Sequence, residues 1–160
     1  TGRNHFLHRS WGPLEPFDDS FPELLKQNGF YSHLITDHHH YFADGGATYH
    51  QRFSSWELVR GQAIDRWKAE VKPDFDKLRS GYHPVQHHRT NYMINRKYMS
   101  NEEDYCAPQL FKMANDFLCK NYGKDSWLLQ LECFDPHEPF HAPSRFRELY
   151  PTTNMVDSSK

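Results

Sequence analysis

Two segments of the chain show the apolar pattern of β-strands. In Trp127–Phe134 alternate positions are apolar throughout, while the intervening positions mix apolar and polar residues. The apolar face consists of Trp127, Leu129, Leu131 and Cys133. Phe30–Thr36 is a shorter run of aromatic, aliphatic and β-branched residues. Both segments are typical of strands that are covered on at least one side.

A helix is predicted before each of these strands. Ser20 and Glu23 have the spacing of a capping box, and Asn28-Gly29 supplies the usual stop signal. Ser100 and Glu103 repeat the capping-box spacing at the start of a second helix. The apolar stripe of that helix comprises Leu110, Met113 or Ala114, Phe117 and Leu118. Amphipathic spacing of this kind predicts packing against the sheet.

The alternation of helix and strand predicts an α/β fold with a mostly parallel sheet and helices on both faces. Residues 41–99 contain several glycines and prolines, and we expect loops and short helices there, inserted over one edge of the sheet. Within this region, residues 56–68 are predicted to be partly helical. The length of 160 residues is that of one domain with its own core, and residues 1–160 are expected to belong to a single domain.

Composition excludes several classes of partner. The formal net charge is −2, which argues against nucleic acid and against an anionic membrane surface. No apolar stretch is long enough to span a bilayer. The three cysteines lack C-x-x-C spacing, which favours buried thiols over a disulfide framework. Twelve histidines are unusual, and at this density they arise by chance or indicate metal, phosphate or sulfate chemistry.

Histidines follow both predicted strands. Asp37-His38-His39-His40 comes directly after Thr36, and the loop after Phe134 contains Asp135, His137 and His141 between three prolines. Proline fixes φ and removes a backbone donor, so this second loop is stiff and non-helical. Because parallel strands end at the same edge of a sheet, the two loops are expected to lie together. Such an edge is where open α/β sheets place ligand-handling side chains.

Three stretches of the sequence resemble the sulfatases, members of the alkaline phosphatase-like superfamily. "FDPHEPF" at 134–140 is similar to their His-x-Pro loop, and "GFYSHLITDHHHYF" at 29–42 is similar to a strand that ends in Gly-Lys-Trp-His. "TGR" at 1–3 resembles the end of the sulfatase signature. "RFSSWELVRGQ" at 52–62 also resembles a segment found in a bacterial branch of the family. The order and spacing of the motifs agree with an alkaline phosphatase-like fold.

The resemblance implies roles for individual residues. His137 matches the histidine that contacts the sulfate group and donates a proton to the leaving oxygen. The family's lysine falls on Asp37 and its following histidine on His39, although a one-residue bulge brings His40 there instead. If the strand continued past Thr36, Asp37 and His39 would face one way and His38 and His40 the other. Asp37 cannot stabilise sulfate by charge, and it is expected to orient an imidazole or bind a substrate hydroxyl.

The nucleophile and the metal ligands of the family have no match in this sequence. The signature Cys or Ser that becomes formylglycine, and the first pair of metal-binding aspartates, are expected before Thr1. The second metal pair is expected beyond Lys160. The chain therefore resembles an internal fragment of a sulfatase domain, whose complete form uses a divalent cation, Ca²⁺ by resemblance. On its own the fragment is expected to be inactive.

The expected substrate is a sulfated small molecule or a sulfated carbohydrate. One alternative keeps the fold and changes the ester to a phosphodiester or a phosphonate monoester, since Asp37 replaces the family's lysine. A second is a histidine-rich metal-binding module without catalysis, which would use His38-His39-His40 and His87-His88. Adjacent histidines rarely converge on one ion without a further ligand at suitable spacing. A third is a sulfatase-like chain that binds sulfated sugars without hydrolysing them.

Overall fold

The computed structural model describes Gly2 and residues 12–74, 89–137 and 140–149. Within these residues the centre of the fold is a three-stranded parallel sheet with the order β2-β1-β3. The strands are β1 (Tyr31–Thr36), β2 (Ser55–Leu58) and β3 (Trp127–Glu132). The parallel pairing of β1 with β3 confirms the prediction from the sequence, and their carboxyl ends lie at one edge.

Helices and single helical turns connect the strands. The α-helices are α1 (Phe21–Gln27), α2 (Arg89–Arg96), α3 (Cys106–Lys120) and α4 (Ser144–Arg147). Turns of 3₁₀-helix occupy His39–Phe42, Tyr49–Arg52 and Glu102–Asp104. None of the described helices is long and apolar enough to cross a membrane.

Each face of the sheet has its own buried apolar cluster. On one face, Ile35 packs with Val59 and with the α3 residues Leu110 and Ala114. On the other face, the cluster consists of Leu34, Tyr41, Ala47 and Phe53. Helix α1 borders this second face, where Phe21 and Pro22 share a cavity with Leu34. The predicted α/β arrangement with helices on both faces is therefore confirmed.

The prediction that residues 56–68 are partly helical was wrong, because Trp56, Glu57 and Leu58 belong to β2. Strand β2 is only four residues long, too short for its alternation to stand out from the surrounding loop. It forms because β1 offers a parallel partner, with His33 opposite Ser55 and Thr36 opposite Leu58. Non-local pairing here overrides a weak local signal.

The helix starts differ from the predicted capping boxes. Ser20 occupies the N-cap of α1, but its hydroxyl donates to Glu23 Oε2 at 2.8 Å and caps no backbone group. The other oxygen of Glu23 accepts from Arg52 Nη1 at 2.6 Å, which explains why Glu23 does not reach back to the helix end. The second capping box forms one residue later than expected, between Asn101 and Asp104.

Candidate active site at the carboxyl edge of the sheet

Two hydrogen bonds connect the loops that follow the three strands. The carboxylate of Asp37, directly after β1, accepts the backbone N–H of Phe134 through Oδ1 at 2.8 Å. Gln62, in the loop after β2, donates from Nε2 to Asp135 Oδ1 at 2.7 Å. The loop after β3 is therefore held by residues that follow β1 and β2. Strand β3 ends at Glu132, two residues before the predicted end, because the backbone N–H of Phe134 is bonded to the Asp37 side chain.

The loop after β2 is itself held by a buried carboxylate. Asp65 accepts two hydrogen bonds from Arg60, at 2.7 and 2.8 Å, and one from the backbone N–H of Gly61 at 2.8 Å. Asn95 of α2 donates to the backbone carbonyl of Asp65 at 2.8 Å. Charge-assisted bonds of this kind are short and orienting. They position Gln62 toward the loop after β3.

Asp37 is fully buried, and its second oxygen has no hydrogen-bond partner among the described residues. Burial raises the pKa of Asp37 to about 6, and the negative charges of Asp135 and Glu132 add to the increase. The bond from Phe134 acts in the opposite direction and only partly offsets burial. A carboxyl group with such a pKa is present in both protonation states near neutral pH.

The histidines after β1 do not continue the strand. Chain direction changes after Thr36, whose Oγ1 accepts the backbone N–H of His38 at 2.9 Å, and a 3₁₀ turn starts at His39. The facing pattern expected for an extended strand therefore does not form. The rings of His39 and His40 lie side by side, with centroids 4.0 Å apart. The turn is packed tightly, since a Cβ on Gly46 would lie 2.2 Å from the His40 carbonyl oxygen.

His39 has neither ring nitrogen hydrogen-bonded within the described part of the chain, although both are buried. Burial lowers the pKa of His39 to about 4, and repulsion from His40 contributes. The pKa of His40 is also lowered, first by burial and then by His38 and His137. Both imidazoles are therefore neutral at pH 7 when no ligand is bound.

His137 lies at the same edge and is exposed. The ring of Phe134 contacts it at a centroid distance of 4.3 Å and contacts His40 at 6.0 Å. The His137 imidazole lowers the pKa of His40, so these two imidazoles lie within electrostatic range of each other. The structure therefore brings Asp37, His39, His40 and His137 together around Phe134.

A second carboxylate at this edge, which is half-buried, was not singled out by the sequence. Glu132, the last residue of β3, accepts from Thr36 Oγ1 at 3.0 Å and from the Tyr41 hydroxyl at 2.7 Å, with His38 Nδ1 at 3.9 Å. Burial by itself raises the pKa of Glu132, but these partners outweigh it and the pKa lies below its ordinary value. Its position in an alternating strand pattern identified it only as one polar residue among several.

An apolar groove of about 600 Å³ opens beside His137. Its walls include Phe111, Pro136, Phe140, His141 and Phe146. His141 lies in this groove rather than at the strand ends, and it stacks on Tyr105 with a centroid distance of 5.2 Å. The second histidine of the proline loop is thus separated from the cluster around Phe134.

The family model for Sulfatase matches residues 1–160, the whole chain. The chain belongs to the sulfatase family. This result confirms the resemblance found in the sequence, and the parallel α/β sheet agrees with the alkaline phosphatase-like fold of the family. Sulfatases are hydrolases that act on sulfate esters, which supports a sulfatase-like function in general. Neither a curated protein nor a solved structure matches the chain.

Sulfatases generally depend on a metal ion. In residues 12–74, 89–137 and 140–149, no three His, Cys, Asp or Glu side chains stand together as ligands. These described residues therefore do not fit a resident divalent cation by themselves. His87-His88 and most of the "TGR" motif lie outside the described residues.

Proposed function

We propose that this chain supplies the imidazole part of a sulfatase active site. In this proposal His39 and His40 bind the sulfate group of the ester, and His137 contacts it and protonates the leaving oxygen. The observation that supports it most directly is that both ring nitrogens of His39 are buried and have no hydrogen-bond partner among the described residues. Buried polar atoms are almost always hydrogen-bonded, and an exception at the edge of a parallel sheet indicates a missing ligand.

A sulfate group supplies the hydrogen-bond acceptors and the negative charge that the imidazoles of His39 and His40 can bind. Its oxygens accept hydrogen bonds from imidazole N–H groups, and its negative charge favours the imidazolium form. Binding is therefore expected to raise the pKa of His39 and His40 from their depressed values and to take up protons from solvent. His137, which is exposed beside the apolar groove, is placed to reach the bond between the sulfate and its organic group.

Asp37 is proposed to contribute to substrate binding through Oδ2. With its pKa raised to about 6, part of the population carries a proton at neutral pH and donates a hydrogen bond to a sulfate oxygen. When ionised, the same oxygen accepts from a substrate hydroxyl or from a neighbouring imidazole. Either role is compatible with an acid in the position where the family has a lysine, because neither depends on positive charge.

The resemblance implies a formylglycine nucleophile and a Ca²⁺ ion. The nucleophile and the residues that bind the ion are proposed not to belong to this chain. The ester is proposed to be a sulfated small molecule or carbohydrate. The apolar groove beside His137 has room for the uncharged part of such a molecule. A phosphodiester or phosphonate monoester is distinguished from a sulfate ester by the binding experiment below.

The proposal is tested by titrating the chain with sodium sulfate while the histidine ring signals are followed by NMR. Sulfate is expected to raise the pKa of His39, and His39→Gln is expected to weaken binding by about tenfold or more, the effect of losing a bond to a charged group. His50→Gln, a change at a buried histidine among Phe42 and Trp56, should leave binding unchanged. Equal responses to sulfate and to chloride at matched ionic strength would contradict the proposal. Preference for methylphosphonate would indicate the alternative ester.

A further inference from the structure

Four side chains form a hydrogen-bonded chain at the start of β1 and β2. The Tyr31 hydroxyl donates to Ser55 Oγ at 2.9 Å, and Ser55 Oγ lies 2.6 Å from His33 Nδ1. His33 Nε2 lies 3.1 Å from Glu57 Oε1. His33 and Ser55 are opposite each other in the parallel pairing, so their side chains share one face of the sheet. This group lies at the amino-terminal part of the strands, whereas Asp37 and its neighbours follow their carboxyl ends.

The direction of the hydrogen bonds among these four side chains follows from the donors and acceptors available. An ionised Glu57 only accepts, so in the neutral imidazole of His33 the hydrogen lies on Nε2 and Nδ1 is an acceptor. Ser55 then donates its hydroxyl hydrogen to Nδ1 while accepting from Tyr31. A serine hydroxyl, an acceptor imidazole and a carboxylate in this order are the parts of an activated nucleophile.

The imidazole is held in one orientation by packing as well. Phe117 of α3 stacks on His33 with a centroid distance of 5.1 Å and an interplanar angle of 3°. His33 is 7 % exposed, so its ring has little freedom to leave this position. The neighbouring Ser54 provides a contrast, because its hydroxyl bonds to Ser32 and, within the described part of the chain, has no hydrogen bond to an imidazole. Two adjacent serines in the same segment thus have different chemical surroundings.

The nucleophile is accessible from a cleft of about 480 Å³ that Tyr31, His33, Ser55 and Glu57 line together. Phe117 and Trp127, whose rings meet edge to face at 5.4 Å, form an apolar wall. The other ionisable groups that line the cleft are Asp116, Lys120, Lys124 and Asp125. Together with Glu57, the cleft has three acidic and two basic side chains, and this small negative excess disfavours an anionic ligand. The apolar wall favours an uncharged ligand with an apolar group.

We propose that Ser55, His33 and Tyr31 form a second catalytic site, separate from the sulfatase site, that hydrolyses small uncharged carboxylic esters. Glu57 acts as the positioning residue that orients His33. Ser55 Oγ attacks the carbonyl carbon while its proton passes to His33 Nδ1. The Tyr31 hydroxyl then gives up its bond to Ser55 Oγ and donates its hydrogen to the carbonyl oxygen. The bond to the alcohol oxygen then breaks, and His33 returns the proton to the departing alcohol. Water attacks the acyl-serine, its proton passes through His33, and the carboxylic acid leaves as Ser55 is restored.

The test treats the full chain with a fluorophosphonate, which phosphonylates activated serines with loss of fluoride and leaves most others unmodified. Peptide mapping is expected to find the label on Ser55 and not on Ser54. Ser55→Ala should abolish labelling and Ser54→Ala should leave it unchanged. Turnover of p-nitrophenyl butyrate should follow the same pattern.

The role of His33 is tested through Glu57, whose side chain is 49 % exposed and can be changed with little effect on the core. Glu57→Gln is expected to slow labelling by about a hundredfold, within the range for loss of a group that supports general base catalysis. Glu57→Asp should restore part of the rate. Labelling of Ser55 no faster than Ser54, or wild-type labelling rates in Glu57→Gln with native circular dichroism, would overturn the proposal.

Discussion

The carboxylate of Asp37 accepts the backbone N–H of Phe134 at 2.8 Å and so connects the ends of β1 and β3. The same carboxylate leaves its other oxygen buried without a partner among the described residues. One side chain therefore stabilises the junction of two loops and introduces a buried charge beside the candidate site. These two effects can be separated by mutation.

Asp37→Asn is expected to keep the acceptor for Phe134 and to remove the charge, whereas Asp37→Ala should lose about 1–3 kcal/mol of unfolding free energy because a buried N–H remains unpaired. The pKa of Asp37 is about 6 in the folded chain and about 3.9 in an unfolded one. Its stabilising contribution is therefore fully present below about pH 4 and is lost as the pH rises through about 6.

The contribution of His39 to folding stability has the opposite pH dependence over the same pH range. Its pKa is about 4 in the folded chain and about 6.5 when unfolded, so the unfolded chain binds more protons between these values. Its contribution is present above about pH 6.5 and is lost as the pH falls toward 4. In the wild type the two slopes oppose each other. Urea unfolding between pH 4 and 7 should show stability rising more steeply with pH than in the wild type for Asp37→Asn, and less steeply for His39→Gln. Identical slopes in all three proteins would contradict both assignments.

Tyr41→Phe is expected to destabilise the fold by about 1–2 kcal/mol, because the half-buried Glu132 loses a donor at 2.7 Å. The pKa of Glu132 should rise toward its unfolded value. Its folded pKa is lowered, so its contribution is present above the unfolded pKa and is lost as the pH falls. Acid unfolding of the variant should therefore begin at a higher pH, as measured by circular dichroism. Tyr49→Phe is the matched control, since its hydroxyl makes only a longer bond of 3.3 Å to the Gly12 carbonyl.

Gly46→Ala is expected to displace the histidine turn. The added Cβ would lie 2.2 Å from the His40 carbonyl oxygen and 2.7 Å from that of Ala43, and both are backbone atoms that cannot rotate away. Gly45→Ala is the matched control, because Gly45 has a φ of +66° but open space around it, and its cost should be about 1–2 kcal/mol. Thermal unfolding should show a larger loss for Gly46→Ala, accompanied by weaker sulfate binding. Equal losses would indicate that the turn has room to adjust.

The isolated chain is expected to hydrolyse no sulfate ester. The sulfatase mechanism needs an attacking group and a cation that stabilises charge on the transferred group, and loss of either removes an essential step. The measurement is release of 4-nitrophenol from its sulfate by chain purified from a host without sulfatase. Turnover that copurifies with the chain and is abolished by His137→Ala would show that the chain is sufficient by itself.

In a complete enzyme that contains this segment, His137→Ala is expected to affect poor leaving groups most. An alkyl sulfate needs a proton on its leaving oxygen in the transition state, and its kcat should fall by about a hundredfold to ten-thousandfold. An activated aryl sulfate leaves with little assistance and should lose clearly less. Equal losses for both substrates would exclude the acid role and leave sulfate contact as the role of His137.

The parallel sheet and the position of the candidate site were both predictable from local sequence patterns. Alternating apolar residues in 127–134 and the β-prone run at 30–36 identified two strands, and helix start and stop signals identified what precedes them. Parallel topology then required the histidines after Thr36 and Phe134 to share one edge, as the pairing of β1 and β3 confirms. Order along the chain was enough for this inference because parallel strands end on the same side.

Tertiary structure decided which polar groups meet and in what state of ionisation. Strand β2 forms by pairing with β1 across more than twenty residues, and the bonds from Asp37 to Phe134 and from Gln62 to Asp135 join residues distant in sequence. The depressed pKa of His39 and the raised pKa of Asp37 follow mainly from burial. The type of a residue does not determine how deeply it is buried. Periodicity along the chain reports which face of an element is apolar, whereas desolvation and non-local hydrogen bonds depend on how the packed elements enclose each side chain.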